Sequence, residues 1–148
     1  MVYQSTKLYG HELGLSAVFR QWRADSHCNL LHGYSLAFKF TFEANELDDR
    51  NWVMDFGGLK GLKTALHESF DHKLVLAEDD PEFDLLAGLQ LAGLAQITVV
   101  PAVGCEKFAE YAYNLATSYL ESQNMSQRVR VVEVECKEHG SNSAIYKP

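Results

Sequence analysis

His27-Cys28-Asn29-Leu30-Leu31-His32-Gly33-Tyr34 runs directly into Ser35-Leu36-Ala37-Phe38-Lys39-Phe40-Thr41-Phe42-Glu43, and this passage decides how the rest of the chain is read. From Tyr34 the residues alternate, with Tyr34, Leu36, Phe38, Phe40 and Phe42 on one face and Ser35, Ala37, Lys39, Thr41 and Glu43 on the other. A period of two marks a half-buried antiparallel strand. The same period places His32 on the face of Tyr34 and Leu36. An imidazole therefore stands at the rim of an apolar face, just after a thiol.

The 148 residues are enough for one domain with a continuous core, and no repeat, low-complexity tract or linker interrupts them. A single domain over 1–148 is expected. The 13 basic and 20 acidic residues give a net charge of −7 with no Lys/Arg cluster, which argues against nucleic acid as a partner. No apolar run approaches the length of a membrane span, and the first residues lack the apolar stretch of a signal peptide. A cytoplasmic protein without a membrane partner is expected. Cys28, Cys105 and Cys136 are odd in number and lack C-x-x-C spacing, which fits reduced thiols.

Leu13, Leu15, Ala17 and Phe19 alternate within Lys7–Arg20, which reads as one strand pairing with the strand after it. Asp55-Phe56-Gly57-Gly58 punctuates the chain, and Leu59, Leu62, Ala65, Leu66 and Phe70 then take helical spacing as far as Asp71-His72. A second helix is predicted from Pro81 to about Leu94, with Asp79, Asp80 and Glu82 suiting its dipole. Ile97–Pro101 is a short strand or extended linker, and Phe108, Ala112, Leu115, Ala116 and Tyr119 form the stripe of a helix from Cys105 to Leu120. A last long strand, Arg128 to Glu138, puts Val132, Val134, Cys136 and Glu138 on one face, and Ser141–Tyr146 closes the sheet. The fold class is α+β, a four-stranded antiparallel sheet covered by helices on one face. The extra segment from Ala77 to Val100 receives no role.

Titratable groups fall at element ends: Cys28 and His32 before the long strand, Asp71-His72 after the first helix, and Glu138 ending the last long strand. Several stretches together resemble the 6-pyruvoyltetrahydropterin and 6-carboxytetrahydropterin synthase family, members of the tunnelling fold. Leu15–Phe19 is similar to F-x-A-A-H, Cys28–Tyr34 to C-x-x-L-H-G-H, and Val53-Met54-Asp55-Phe56 with Leu59-Lys60 to V-x-D-F-x-x-L-K. Phe70–Leu74 is similar to L-D-H-x-x-L, Cys105-Glu106 to the end of N-P-T-S-E, and Glu138 stands eight residues before Tyr146 as in the family.

The resemblance implies a dihydropterin substrate and a place in tetrahydropterin or queuosine biosynthesis. It implies Cys28 as proton acceptor, a relay of His72, Asp71 and Glu138, and Glu106 as the carboxylate anchoring the pterin. It also implies a homo-oligomeric barrel built on trimers, up to a dimer of trimers. Of the family's three zinc histidines only His32 remains, because Phe19 and Tyr34 stand in the other two positions; zinc in that site is disfavoured. His11 is too far along the strand to replace Phe19, whereas His27 beside Cys28 remains open. Tyr34 is expected to donate to a substrate oxygen in place of the metal, or only to pack. The competing functions are a metal-free dihydroneopterin aldolase-like lyase and a non-catalytic pterin or purine binder.

Overall fold

The computed structural model describes residues 1–148, in the order β1 (Tyr3–Tyr9), β2 (Leu15–Phe19), β3 (His32–Ala44), α1 (Lys60–Phe70), β4 (Lys73–Ala77), α2 (Phe83–Leu91), β5 (Gln96–Val100), α3 (Cys105–Ser122), β6 (Arg130–His139) and β7 (Asn142–Tyr146). The alternation that begins at Tyr34 becomes β3, and its apolar face is the core. Phe38, Phe40 and Phe42 are fully buried, each worth about 2–3 kcal/mol by area removed from water. No helix is long and apolar enough to cross a membrane.

The expected continuous strand over Lys7–Arg20 is instead two strands on the same edge of β3. β1 pairs with the second half of β3, from Tyr3 opposite Ala44 to Tyr9 opposite Phe38. β2 pairs with the first half, from Leu15 opposite Leu36 to Phe19 opposite His32. Between them the chain steps out through a 3-10 turn at His11–Leu13 and returns at Gly14, whose φ of 67° suits a residue without Cβ. His11 Nδ1–H donates to the Ser35 carbonyl at 2.5 Å and Ser35 Oγ donates to the His11 carbonyl at 2.8 Å, fastening the excursion to β3.

The sheet holds seven strands rather than four, in the order β5-β4-β2-β3-β6-β7 with β1 also on β3. The additions are β4, which pairs parallel with β2, and β5, which pairs parallel with β4. Lys73–Ala77 shows no alternation because its residues are buried on both sides, as parallel strands are. This wing also corrects the expectation of helices on one face only. α1 and α3 cover the main core, while Leu86 of α2 packs on Leu74 and Leu76 in a separate small cluster. A β-bulge opposite Thr41 and Phe42 shifts β6, so that Val131, not Val132, is the buried partner of Phe42.

The core is threaded by aromatic contacts. The rings of Phe38 and Phe70 lie 5.0 Å apart, Phe70 and Phe108 5.6 Å, and Phe108 and Phe19 4.9 Å, most of them edge-on. α1 is entered through a 3-10 turn in which Asp55 accepts from the Gly57 amide at 2.8 Å. The parallel wing is tied to the end of β2 by an ion pair, Arg20 Nη2 to Asp80 Oδ1 at 2.7 Å, with 1% of the Asp80 side chain exposed. The Arg20 hydrogen bond holds the Asp80 carboxyl below its ordinary value, against the opposing effect of burial.

Two outcomes follow for stability. Phe38→Ala is expected to cost about 3–5 kcal/mol, read as a lower urea midpoint with unchanged slope. Because the folded-state pKa of Asp80 lies below its unfolded value of about 3.9, the stability it contributes is present above that pH and fades as pH falls through the lower folded value. The difference in urea midpoint between the native protein and Asp80→Asn should therefore narrow between pH 6 and pH 3; a constant difference would show that the carboxylate charge contributes nothing.

Candidate active site

Cys28 lies in the loop from β2 to β3, in a 3-10 turn over His27–Asn29 begun by Ser26, whose Oγ accepts from the Cys28 amide at 3.4 Å. The Gln21 amide donates to the Cys28 carbonyl at 2.9 Å, and Gln21 Nε2 donates to the Val103 carbonyl at 3.2 Å. Gln21 so joins the thiol loop to the start of α3. Cys105 and Cys136 are buried, and Cys28 alone is half-buried. It is the most exposed of the three cysteines.

Tyr34 faces the same region from β3. Burial raises its hydroxyl pKa first, and the negative charges of Glu138, Cys28 and Cys105 raise it further. The phenol is thus held as a neutral donor at physiological pH. Glu106 sits in the first turn of α3, where its carboxylate suits the helix dipole. The residue before that turn, Gly104, has φ 117°, and a Cβ placed there would meet Glu106 Oε2 at 3.5 Å and Gln21 Nε2 at 3.9 Å. Burial drives the Cys136 thiol well above its ordinary value, with its hydrogen bond to Cys105 and the charges of Glu138 and Glu106 adding to the shift. Glu138, Cys28 and Cys105 thus act on Tyr34, while Cys105, Glu138 and Glu106 act on Cys136.

Asp71 and His72 stand elsewhere within the chain. Asp71 Oδ1 accepts from the Ser16 amide at 3.1 Å and lies 3.0 Å from His72 Nδ1, while His67 Nδ1 is 3.4 Å from its Oδ2. Burial pushes the Asp71 carboxyl up, but the Ser16 amide and the two imidazoles outweigh it and hold it below its ordinary value. The His72 backbone, at φ 56°, donates to the Ser16 carbonyl at 2.7 Å, and 84% of its side chain is exposed. The imidazole borders a shallow depression with Ser16, Ala17, Val18 and Gly33. In the pairing register, Ala17 and Phe19 share the face of Tyr34 and His32, whereas Ser16 and Val18 share the other. Cys28 and Glu138 both act on Tyr34, whereas His72 is held at Ser16, across β2 from that face.

The residues at the family's metal positions form an aromatic cluster. Phe19 lies 5.1 Å from His32 and 6.0 Å from Tyr34 by ring centroid, and His32 lies 5.4 Å from Tyr34. The His32 Nδ1–H donates to the Leu30 carbonyl at 2.6 Å, since a carbonyl can only accept. No group of three His, Cys, Asp or Glu side chains is placed to hold a metal ion. A phenylalanine and a neutral phenol cannot replace two imidazole ligands, so these residues do not fit the family zinc.

Sequence reading missed Gln21, and it missed that Asp80 meets Arg20 rather than simply complementing a helix dipole. Neither residue carries a local signal, because their partners lie 82 and 60 positions away.

The 6-pyruvoyl tetrahydropterin synthase family model matches residues 11–148. The 6-carboxy-5,6,7,8-tetrahydropterin synthase of Aquifex aeolicus is 27% identical over 137 residues, covering 90% of this chain and 84% of that protein. Among solved structures, an uncharacterised protein of Wolinella succinogenes superposes with a TM-score of 0.83 at 22% identity, over 99% of this chain and 98% of the other. The 6-pyruvoyl tetrahydropterin synthase of Plasmodium falciparum superposes with a TM-score of 0.71 at 15% identity, over 98% and 96%. With quoted motifs, a near-complete family match and these folds in agreement, the chain belongs to the 6-pyruvoyl tetrahydropterin synthase family and has its tunnelling fold.

Proposed function

We propose that this protein acts on the side chain of a 7,8-dihydropterin without a bound metal, as a carbon–oxygen or carbon–carbon lyase. The observation that carries this reading is Tyr34, a neutral phenol packed with the rings of Phe19 and His32 at the family's metal positions and acted on by the charges of Glu138 and Cys28. Cys28, as thiolate, accepts the proton, since the thiolate is the basic form. Glu106 anchors the pterin, whose guanidine-like N–H pair matches two carboxylate oxygens. Tyr34 O–H donates to the side-chain oxygen, and its raised pKa keeps that proton in place at neutral pH.

Glu138 belongs to the relay, and Asp71-His72 complete it from a second copy of the chain. The exposure of His72 and its position across β2 from Cys28 support that arrangement. It accords with a trimer-based homo-oligomer, in which open strand edges of β1, β5 and β7 are covered by neighbours. A cytoplasmic setting is part of the same reading. The loss of the metal ligands favours a second reading, a pterin-binding protein that no longer catalyses.

Incubation with 7,8-dihydroneopterin and its triphosphate, with chelator and with added zinc, separates the readings. Turnover insensitive to chelator is expected, and Cys28→Ala should lower it by about 10²–10⁴-fold while the pterin-induced rise in Tm persists. Binding without turnover in the native protein would select the non-catalytic reading, and no rise in Tm would remove pterin altogether. Tyr34→Phe should lower kcat by about 10²-fold with KM little changed; an unchanged kcat means that Tyr34 only packs. Light scattering should give a mass of at least three chains.

A further inference from the structure

The thiol loop has little regular structure of its own, yet it is strapped to the segment between β4 and α2, the stretch that had no role in the sequence. Arg20 leaves the end of β2 and forks onto Asp80, Nε to Oδ2 at 2.9 Å and Nη2 to Oδ1 at 2.7 Å. Its remaining nitrogen, Nη1, turns back to Asn29, reaching the carbonyl at 3.3 Å and Oδ1 at 3.2 Å. Asn29 is the neighbour of Cys28, and its Nδ2 donates to the carbonyls of Trp22 at 3.0 Å and Ala24 at 3.2 Å. One guanidinium therefore holds both the base of the loop and the residue beside the thiol.

Asp80 is itself held. Its Oδ1 accepts from the Glu82 amide at 2.8 Å, and its own amide donates to the Ala77 carbonyl at 3.1 Å, at the end of β4. A second strap lies outside the first: Trp22 Nε1 and Arg23 Nη2 donate to the two oxygens of Asp79 at 3.2 and 2.8 Å, with the Arg23 guanidinium 4.2 Å from the Trp22 ring. A buried ion pair contributes little net stability compared with apolar residues of the same shape. What the bidentate fork adds is fixed orientation.

We propose that Asp80, acting through Arg20 and Asn29, is a positioning residue that holds the Cys28 thiol in its working orientation by referring the loop to β4. The proposal rests on Cys28 as the proton acceptor for its effect on turnover, but not for its effect on the thiol itself. The wing of β4, α2 and β5 then serves the site as a mount for the residue that performs proton transfer.

Alkylation by iodoacetamide, mapped by peptide mass in the full-length protein, tests it. Cys28 should label alone in the native protein, and the buried Cys105 and Cys136 report global unfolding. In Asp80→Asn and in Asn29→Ala, which leaves the buried pair intact, Cys28 should label at least threefold faster while the other two thiols stay protected. Arg20→Lys, which lacks the fork, should behave like Asp80→Asn, and Asp80→Glu should recover part of the native rate. With dihydropterin as substrate, kcat should fall at least tenfold with KM within twofold. A Cys28 rate at or below the native one, or labelling of all three thiols together, overturns the positioning role. Absence of turnover in the native protein would overturn the enzymatic reading, while the labelling result still decides the clamp.

Discussion

β3 must satisfy partners along both edges and bury one face at the same time, and the molecule is arranged to let it. One edge is divided between β2 and β1, the other is taken by β6. The phenylalanines on its buried face meet α1 through Phe70, and through it α3. The first residues of the same strand are His32 and Tyr34, so the alternation that builds the core also delivers a phenol to the site. Core and chemistry share a register, and a slip of one residue would move Tyr34 away from Glu138 as it exposed the phenylalanines.

Much of this was legible because it is periodic. The stripe from Tyr34 to Phe42 and the helical spacing of Phe108, Ala112 and Ala116 each belong to one element facing one core, and each appears where the spacing places it. Lys73–Ala77 was missed because a strand enclosed on both sides loses the polar residues that reveal a period. Val132 was put in the core because alternation cannot foresee a bulge, which passes that role to Val131. Gly10 and Gly14 do mark where the first strand breaks, but only pairing shows that the two pieces return to the same edge.

The site was legible in composition more than in geometry. Cys28 and Glu138 both act on Tyr34, whereas His72 is bound to the backbone of Ser16 on β2. That separation depends on register, which no motif encodes. Phe19, His32 and Tyr34 pack ring to ring, with the Tyr34 hydroxyl as a neutral polar group among them. Burial first, and then the charges of Glu138, Cys28 and Cys105, keep that phenol protonated.

The five-residue excursion from Gly10 to Gly14 separates two strands that are consecutive in the chain but hold different halves of β3. Five residues there lie opposite a single residue of β3, Ala37, because Tyr9 pairs with Phe38 and Leu15 with Leu36. The same long strand is therefore gripped along one edge by two pieces of chain whose pairings are out of phase, and the loop between them takes up the difference.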